Sequence, residues 1–148
     1  SCLIIENGAI VEVKDLFISQ CGILNSNYPI YGGGIVVIRS ILTLYNCTLD
    51  SNFAQNGGGI MAFNSATINL YYSKIINNIA VRSGGGIACV FGSIINMNHT
   101  IVSHNLILAG KEDGLFFGCG LFLYSSSGNI DFSVIKFNKF EFSGTGIG

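Results

Sequence analysis

Gly57-Gly58-Gly59-Ile60 is the stretch that decides the fold, because it recurs. The same four residues stand at Gly32-Gly33-Gly34-Ile35 and at Gly84-Gly85-Gly86-Ile87. Weaker copies are Gly118-Cys119-Gly120-Leu121 and Gly144-Thr145-Gly146-Ile147, with a remnant at Gly8-Ala9-Ile10. The closing apolar residues, Ile10, Ile35, Ile60, Ile87, Leu121 and Ile147, are separated by 25, 25, 27, 34 and 26 positions. A period of this length signals a solenoid or a propeller.

A second signature lies between the glycine clusters. Leu44, Cys47, Leu49 and Asn52 are followed in the next unit by Leu70, Ser73, Ile75 and Asn78. Met97, Thr100, Val102 and Asn105 come next, then Ile130, Ser133, Ile135 and Asn138. In the first unit the same offsets select Ile18, Cys21, Ile23 and Ser26. Around this frame apolar residues alternate with polar ones, as in Leu42-Thr43-Leu44-Tyr45 and Ile68-Asn69-Leu70-Tyr71. A period of two means strand, and no stretch carries helical spacing.

Propeller blades need about 40–50 residues each, so short strands in a 25-residue period indicate a parallel β-helix. The expected architecture is all-β: a parallel β-helix of about five coils of 25–27 residues, each with about three strands, and one longer coil. Coils stack at about 4.8 Å. Equivalent residues then form inward ladders: Ile10, Ile35, Ile60, Ile87, Leu121 and Ile147 in one, Leu49, Ile75, Val102 and Ile135 in another. Asn52, Asn78, Asn105 and Asn138 end a strand where the chain turns. Their stacked amides are expected to satisfy each other from coil to coil. The chain reads as one β-helix domain over 1–148, and its ends in mid-repeat read as a fragment of a longer solenoid. The long unit places its excess in Leu106–Phe117. That segment is expected to loop out, with Lys111, Glu112 and Asp113 as a candidate interaction site, against the alternative of a passive surface loop.

Composition narrows the function classes. Of 148 residues, 49% are hydrophobic and 10% charged, and the net charge is −1. Typical soluble domains carry about 25% charged residues. Seven scattered Lys and Arg exclude a nucleic-acid partner. No apolar run is long enough to read as a membrane helix.

These motifs resemble the polymorphic outer membrane protein repeats of Chlamydia, which pair Gly-Gly-Ala-(Ile/Leu/Val) with Phe-x-x-Asn. Gly-Gly-Gly-Ile takes the first part. Leu49-x-x-Asn52, Ile75-x-x-Asn78, Val102-x-x-Asn105 and Ile135-x-x-Asn138 take the second. The resemblance covers nearly the whole chain, with a third Gly for Ala and an aliphatic residue for Phe. It implies a right-handed, pectate-lyase-like parallel β-helix on a secreted or surface protein, often adhesive.

Such folds also host polysaccharide enzymes, which need two carboxylates about 5–9.5 Å apart. Asp50 and Asp131 share neither a ladder nor adjacent coils, and Glu12 and Asp15 read as a solvated face. His99 and His104 lack a third metal ligand nearby and read as polar corner or surface residues. No catalytic residue, metal site or cofactor is expected. Cys21 and Cys47 fall on one rung in adjacent coils, within disulfide reach. The Ser and Thr residues elsewhere on that rung favour two buried thiols instead. Asn46-Cys47-Thr48 and Asn98-His99-Thr100 are glycosylation sequons if the protein is a secreted eukaryotic one. Asn98, on an outward row with Tyr45 and Tyr71, is the better candidate, and Asn46 sits at a corner.

The expected function is a non-catalytic structural or adhesive β-helix, extracellular or at the cell surface. It would meet itself, other surface proteins or glycans, and its open coil edges would allow end-to-end assembly into an array or filament. The alternative is a carbohydrate-active or carbohydrate-binding β-helix whose working coils lie outside this chain, or one that uses the Leu106–Phe117 loop.

Overall fold

The computed structural model describes residues 1–22, 31–109 and 117–142. Among them all regular structure is strand, and every strand pairing is parallel. The first sheet orders β1 (Leu3–Ile5), β4 (Ile35–Ile38), β8 (Ile60–Phe63), β12 (Ile87–Val90) and β16 (Leu121–Tyr124). The second orders β2 (Ile10–Lys14), β5 (Ile41–Tyr45), β9 (Thr67–Tyr71), β13 (Ile94–Asn98) and β17 (Ser127–Asp131). The third holds β3 (Phe17–Ser19), β6 (Thr48–Asp50), β10 (Lys74–Ile76), β14 (Ile101–Ser103) and β18 (Val134–Lys136). The fourth holds β7 (Phe53–Asn56), β11 (Ile79–Ser83), β15 (Leu106–Ala109) and β19 (Lys139–Phe142). The chain visits the sheets in the same order in each repeat, which makes a parallel β-helix with four strands per full coil, one more than the sequence suggests.

The extra strand fits because the corners are short. Single residues with positive φ join the second sheet to the third: Asp15, Asn46, Tyr72, His99 and Phe132. Gln20, Ser51, Asn77, His104 and Phe137 do the same between the third and the fourth. Each turn therefore needs one left-handed residue rather than a loop. The corner N–H groups stay on the ladder, as in Asn46 N to Tyr71 O (3.0 Å) and Tyr72 N to Asn98 O (3.0 Å).

The core is built of stacked rows. Leu49, Ile75 and Val102 lie in register and are fully buried. Leu42 with Ile68 and Ile95, and Leu44 with Leu70 and Met97, form two more buried rows. No single coil encloses its apolar side chains, so each is stabilised by the coil next to it.

The glycine row is a matter of space. A Cβ on Gly59 would stand 2.8 Å from Gly86 O and 3.1 Å from Asn78 Nδ2. The asparagines beside it form a closed hydrogen-bond ladder. Asn52 Nδ2 donates to Asn78 Oδ1, Asn78 Nδ2 to Asn105 Oδ1 and Asn105 Nδ2 to Asn138 Oδ1, each at 3.0 Å. Their second amide protons go to carbonyls of the preceding coil, Asn78 to Leu49 O (3.0 Å) and Asn105 to Ile75 O (2.9 Å). Each Oδ1 also accepts the main-chain N–H of the preceding rung. Asn52, Asn78 and Asn105 are fully buried, and among the described residues no buried side-chain N or O lacks a partner.

The first coil corrects the sequence frame. Ile18 pairs with Leu49 rather than lying beside Leu44, and Val13 takes the place beside Leu44. Leu16 therefore stands on the Cys47 rung and Cys21 on the Asn52 rung. Likewise Leu3, not Ile10, pairs with Ile35. Ile10 pairs with Ile41 on an outer row and is 79% exposed. Ile23, Ser26 and Ile147 lie outside the described residues.

The cysteine expectation changes with the frame. Cys21 is bonded to Cys2, with a Cα–Cα distance of 5.6 Å. Cys47 is a free buried thiol. Its neighbour on the rung is Ser73, whose Oγ accepts Cys47 N at 3.1 Å, and its Sγ lies 3.2 Å from Tyr45 O. The rung Cys47, Ser73, Thr100, Ser133 thus selects a small side chain that accepts from one coil and donates within its own. The first four residues of the expected loop, Leu106–Ala109, are strand β15, and Lys111, Glu112 and Asp113 lie outside the described residues.

Candidate functional site

Glu12, Asp15 and Asp50 each engage polar partners of their own. Lys14 bridges to Glu12 at 3.0 Å, and this hydrogen bond, then the charge of Glu12, raises the Lys14 pKa. Asp15 accepts from Asn46 Nδ2 at 2.6 Å, and Asp50 from Ser51 (2.8 Å) and Asn77 (2.9 Å). Among the described residues no group of three or more His, Cys, Asp or Glu could hold a metal ion. No helix among the described residues is long and apolar enough to cross a membrane.

What the fold does bring together is an aromatic edge where the second sheet turns into the third. The last outward row of that sheet is Lys14, Tyr45, Tyr71, Asn98 and Asp131, in register. The Tyr45 and Tyr71 rings stack with centroids 4.7 Å apart and planes 12° from parallel. The adjoining corner column is Asp15, Asn46, Tyr72, His99 and Phe132. Tyr72 stacks on His99 (4.8 Å, 19°), and His99 on Phe132 (5.2 Å, 21°). His104 meets Phe137 at 5.3 Å one corner further on. Both sequence-named histidines are exposed corner residues.

The ring spacing equals the coil spacing, so the rings face one another along the solenoid axis and turn their edges to solvent. The surface they offer is a row of ring edges and polar tips. Tyr72 is 60% and Phe132 81% exposed. Their φ values, 51° and 48°, lie in a region that bulky side chains seldom occupy. Asn and Asp, found at Asn46 and Asp15, enter it more readily.

Beside the tyrosines runs a second, outer amide ladder that the sequence reading missed. Asn69 Nδ2 donates to Thr43 Oγ1 (3.2 Å), Asn96 Nδ2 to Asn69 Oδ1 (2.8 Å) and Asn129 Nδ2 to Asn96 Oδ1 (3.1 Å). Unlike the inner ladder it is half-buried to exposed. Each amide keeps a second N–H and further acceptor capacity outside the ladder. The signal was present at one fixed offset before each Tyr45-type residue.

The two sequons fall at ends of these aromatic stacks. Asn98 follows Tyr71 in its row, and Asn46 precedes Tyr72 in its column. A separate shallow groove of about 280 Å³ lies over the first sheet, lined by Tyr31, Met61, Phe63, Asn64, Val90 and Phe91. No family model matches this chain, and no curated protein or solved structure shows significant similarity to it.

Proposed function

We propose that this chain is a non-catalytic, adhesive structural β-helix that works outside the cell, as the resemblance to the outer membrane protein repeats implies. The observation that carries the reading is the Tyr72–His99–Phe132 column. Exposed aromatic rings at left-handed corners cost backbone energy that Asn would cost less, and such outliers point toward function. Exposed aromatics are the residues most often used as binding anchors. The Cys2–Cys21 bond supports an oxidising compartment. Self-association is part of the proposal, through the exposed rings of Tyr72 and Phe132.

A second reading, glycan binding, is favoured by the outer Asn69–Asn96–Asn129 ladder, whose spare donors and acceptors suit hydroxyl groups. It differs from an enzyme reading in needing no carboxylate pair.

Beads coated with the chain are to be tested on protein-coated and polysaccharide-coated surfaces, with product release followed in parallel. The Tyr72→Asn/Phe132→Asn variant should lose at least tenfold in adhesion and keep or raise its melting temperature. Unchanged adhesion, or turnover of a polysaccharide by the chain, would refute the reading.

A further inference from the structure

We propose that Asn98 and Asn46 are N-glycosylation sites, and that each first sugar packs on the ring face that ends an aromatic stack. The inference rests on the extracellular reading above, with secretion through a eukaryotic pathway. Two facts carry it beyond a motif match. The chain has two Asn-x-Thr sequons, and the fold delivers both to one edge, at two different columns. In each column the sequon asparagine occupies the rung where the stack of rings stops.

In the outward row, Tyr45 covers one face of Tyr71. The other face looks toward the next coil, where Asn98 stands in register with Tyr71. In the corner column, His99 covers one face of Tyr72, and the other looks toward Asn46. A flat ring displaced by one coil spacing, about 4.8 Å, is what each column already uses between its own rings. A pyranose attached at Asn98 or Asn46 can take the next place and set its C–H face against the tyrosine.

The side-chain contacts allow the modification. Asn98 is half-buried and Asn46 exposed. Asn98 uses its Oδ1 toward His99 Nδ1, which leaves its Nδ2 unengaged by that contact. Asn46 donates one Nδ2 proton to Asp15, and a glycosylated amide retains one N–H for that bond. Thr100 is buried and donates to main-chain carbonyls, so the sequon must be read before the coils close. The co-reactant is a lipid-diphosphate-linked oligosaccharide. The anomeric carbon bonds to Nδ2 as its C–O bond to the diphosphate breaks, and the lipid diphosphate and the amide proton leave.

The test secretes the chain from eukaryotic cells behind an added signal peptide, with wild type, Asn98→Gln, Asn46→Gln and the double variant compared. Secretion is read from the medium and glycosylation from the mass shift on amidase treatment, so the two fail separately. The expected result is two glycans on wild type, one on each single variant and none on the double. The same chain secreted while synthesis of the lipid-linked oligosaccharide is blocked, so that both asparagines stay intact and unmodified, should melt a few degrees below glycosylated wild type, and Tyr71→Ala/Tyr72→Ala should abolish that difference. A secreted but unmodified chain overturns the site assignment. A difference that survives loss of both tyrosines overturns the packing.

Discussion

Cys2 is bonded to Cys21 at the rung where later coils set a glycine against an asparagine. Gly34 lies beside Asn52, Gly59 beside Asn78 and Gly86 beside Asn105; added Cβ atoms would stand 3.3, 3.1 and 2.9 Å from the amide nitrogens. The first coil thus replaces a packing contact and an amide rung with a covalent bond. Cys21 N still closes the ladder by donating to Asn52 Oδ1 at 3.0 Å.

Reduction of this bond, or Cys2→Ser/Cys21→Ser, should lower stability by about 3 kcal/mol, the loop-closure value for a loop of this size. Cys2→Gly/Cys21→Asn should recover part of the loss, because it restores the rung used elsewhere. Urea unfolding of the three proteins decides the point. A Gly/Asn variant less stable than the Ser/Ser one would count against the equivalence.

Asn78→Ala should cost more than about 3 kcal/mol, since it strips partners from Asn52 N, Asn52 Nδ2 and Leu49 O in a dry interior. Asn69→Ala removes a similar side chain from the outer ladder, where water can replace it. Its cost should stay below about 1 kcal/mol, and thermal melts of the two variants compare the ladders directly.

Gly58→Ala should prevent soluble folding, because its Cβ would press on the carbonyls of Gly85 and Ile79. The equivalent position in the last described coil is Cys119, which carries a side chain. Cys119→Gly should change stability by less than about 1 kcal/mol. Soluble yield and circular dichroism of both variants provide the check.

The repeat was legible wherever its letters carry geometry. Glycine triplets mark a row where main chains touch, asparagines mark a buried amide ladder, and alternation marks the strands. The first coil misled because its two departures are coupled: Cys2 replaces a glycine and Cys21 an asparagine. With both markers gone, Ile18-x-x-Cys21 imitates Leu44-x-x-Cys47 one strand out of place. The fourth strand per coil was hidden because Tyr72, His99 and Phe132 carry no turn signal, although each turns the chain alone. The aromatic edge was legible only through Tyr45 and Tyr71, since its corner column appears only once the corners are placed.

Burial pushes the Cys89 thiol up from 9.0 to about 12. Between those values the unfolded chain ionises while the folded chain keeps its proton, so stability falls as pH rises. The slope should approach about 1.4 kcal/mol per pH unit. Cys89→Ala, which reproduces Ala62 on the same row, should remove that contribution. Urea midpoints from pH 8 to 11 measure it, and identical pH profiles for the two proteins would contradict the assignment.

The account stands or falls on equivalent residues lying directly over one another. Thr48, Lys74 and Ile101 are successive in-register positions on the third sheet. Neighbours are about 4.8 Å apart and the outer two about 9.6 Å, beyond the roughly 7 Å limit for a disulfide. In a Cys47→Ser/Cys89→Ala/Cys119→Gly background, cysteine pairs are placed two at a time and oxidised mildly. The account predicts cross-links for the 48/74 and 74/101 pairs and none for 48/101. A 48/101 bond, or failure of both neighbouring pairs in a folded protein, would contradict it.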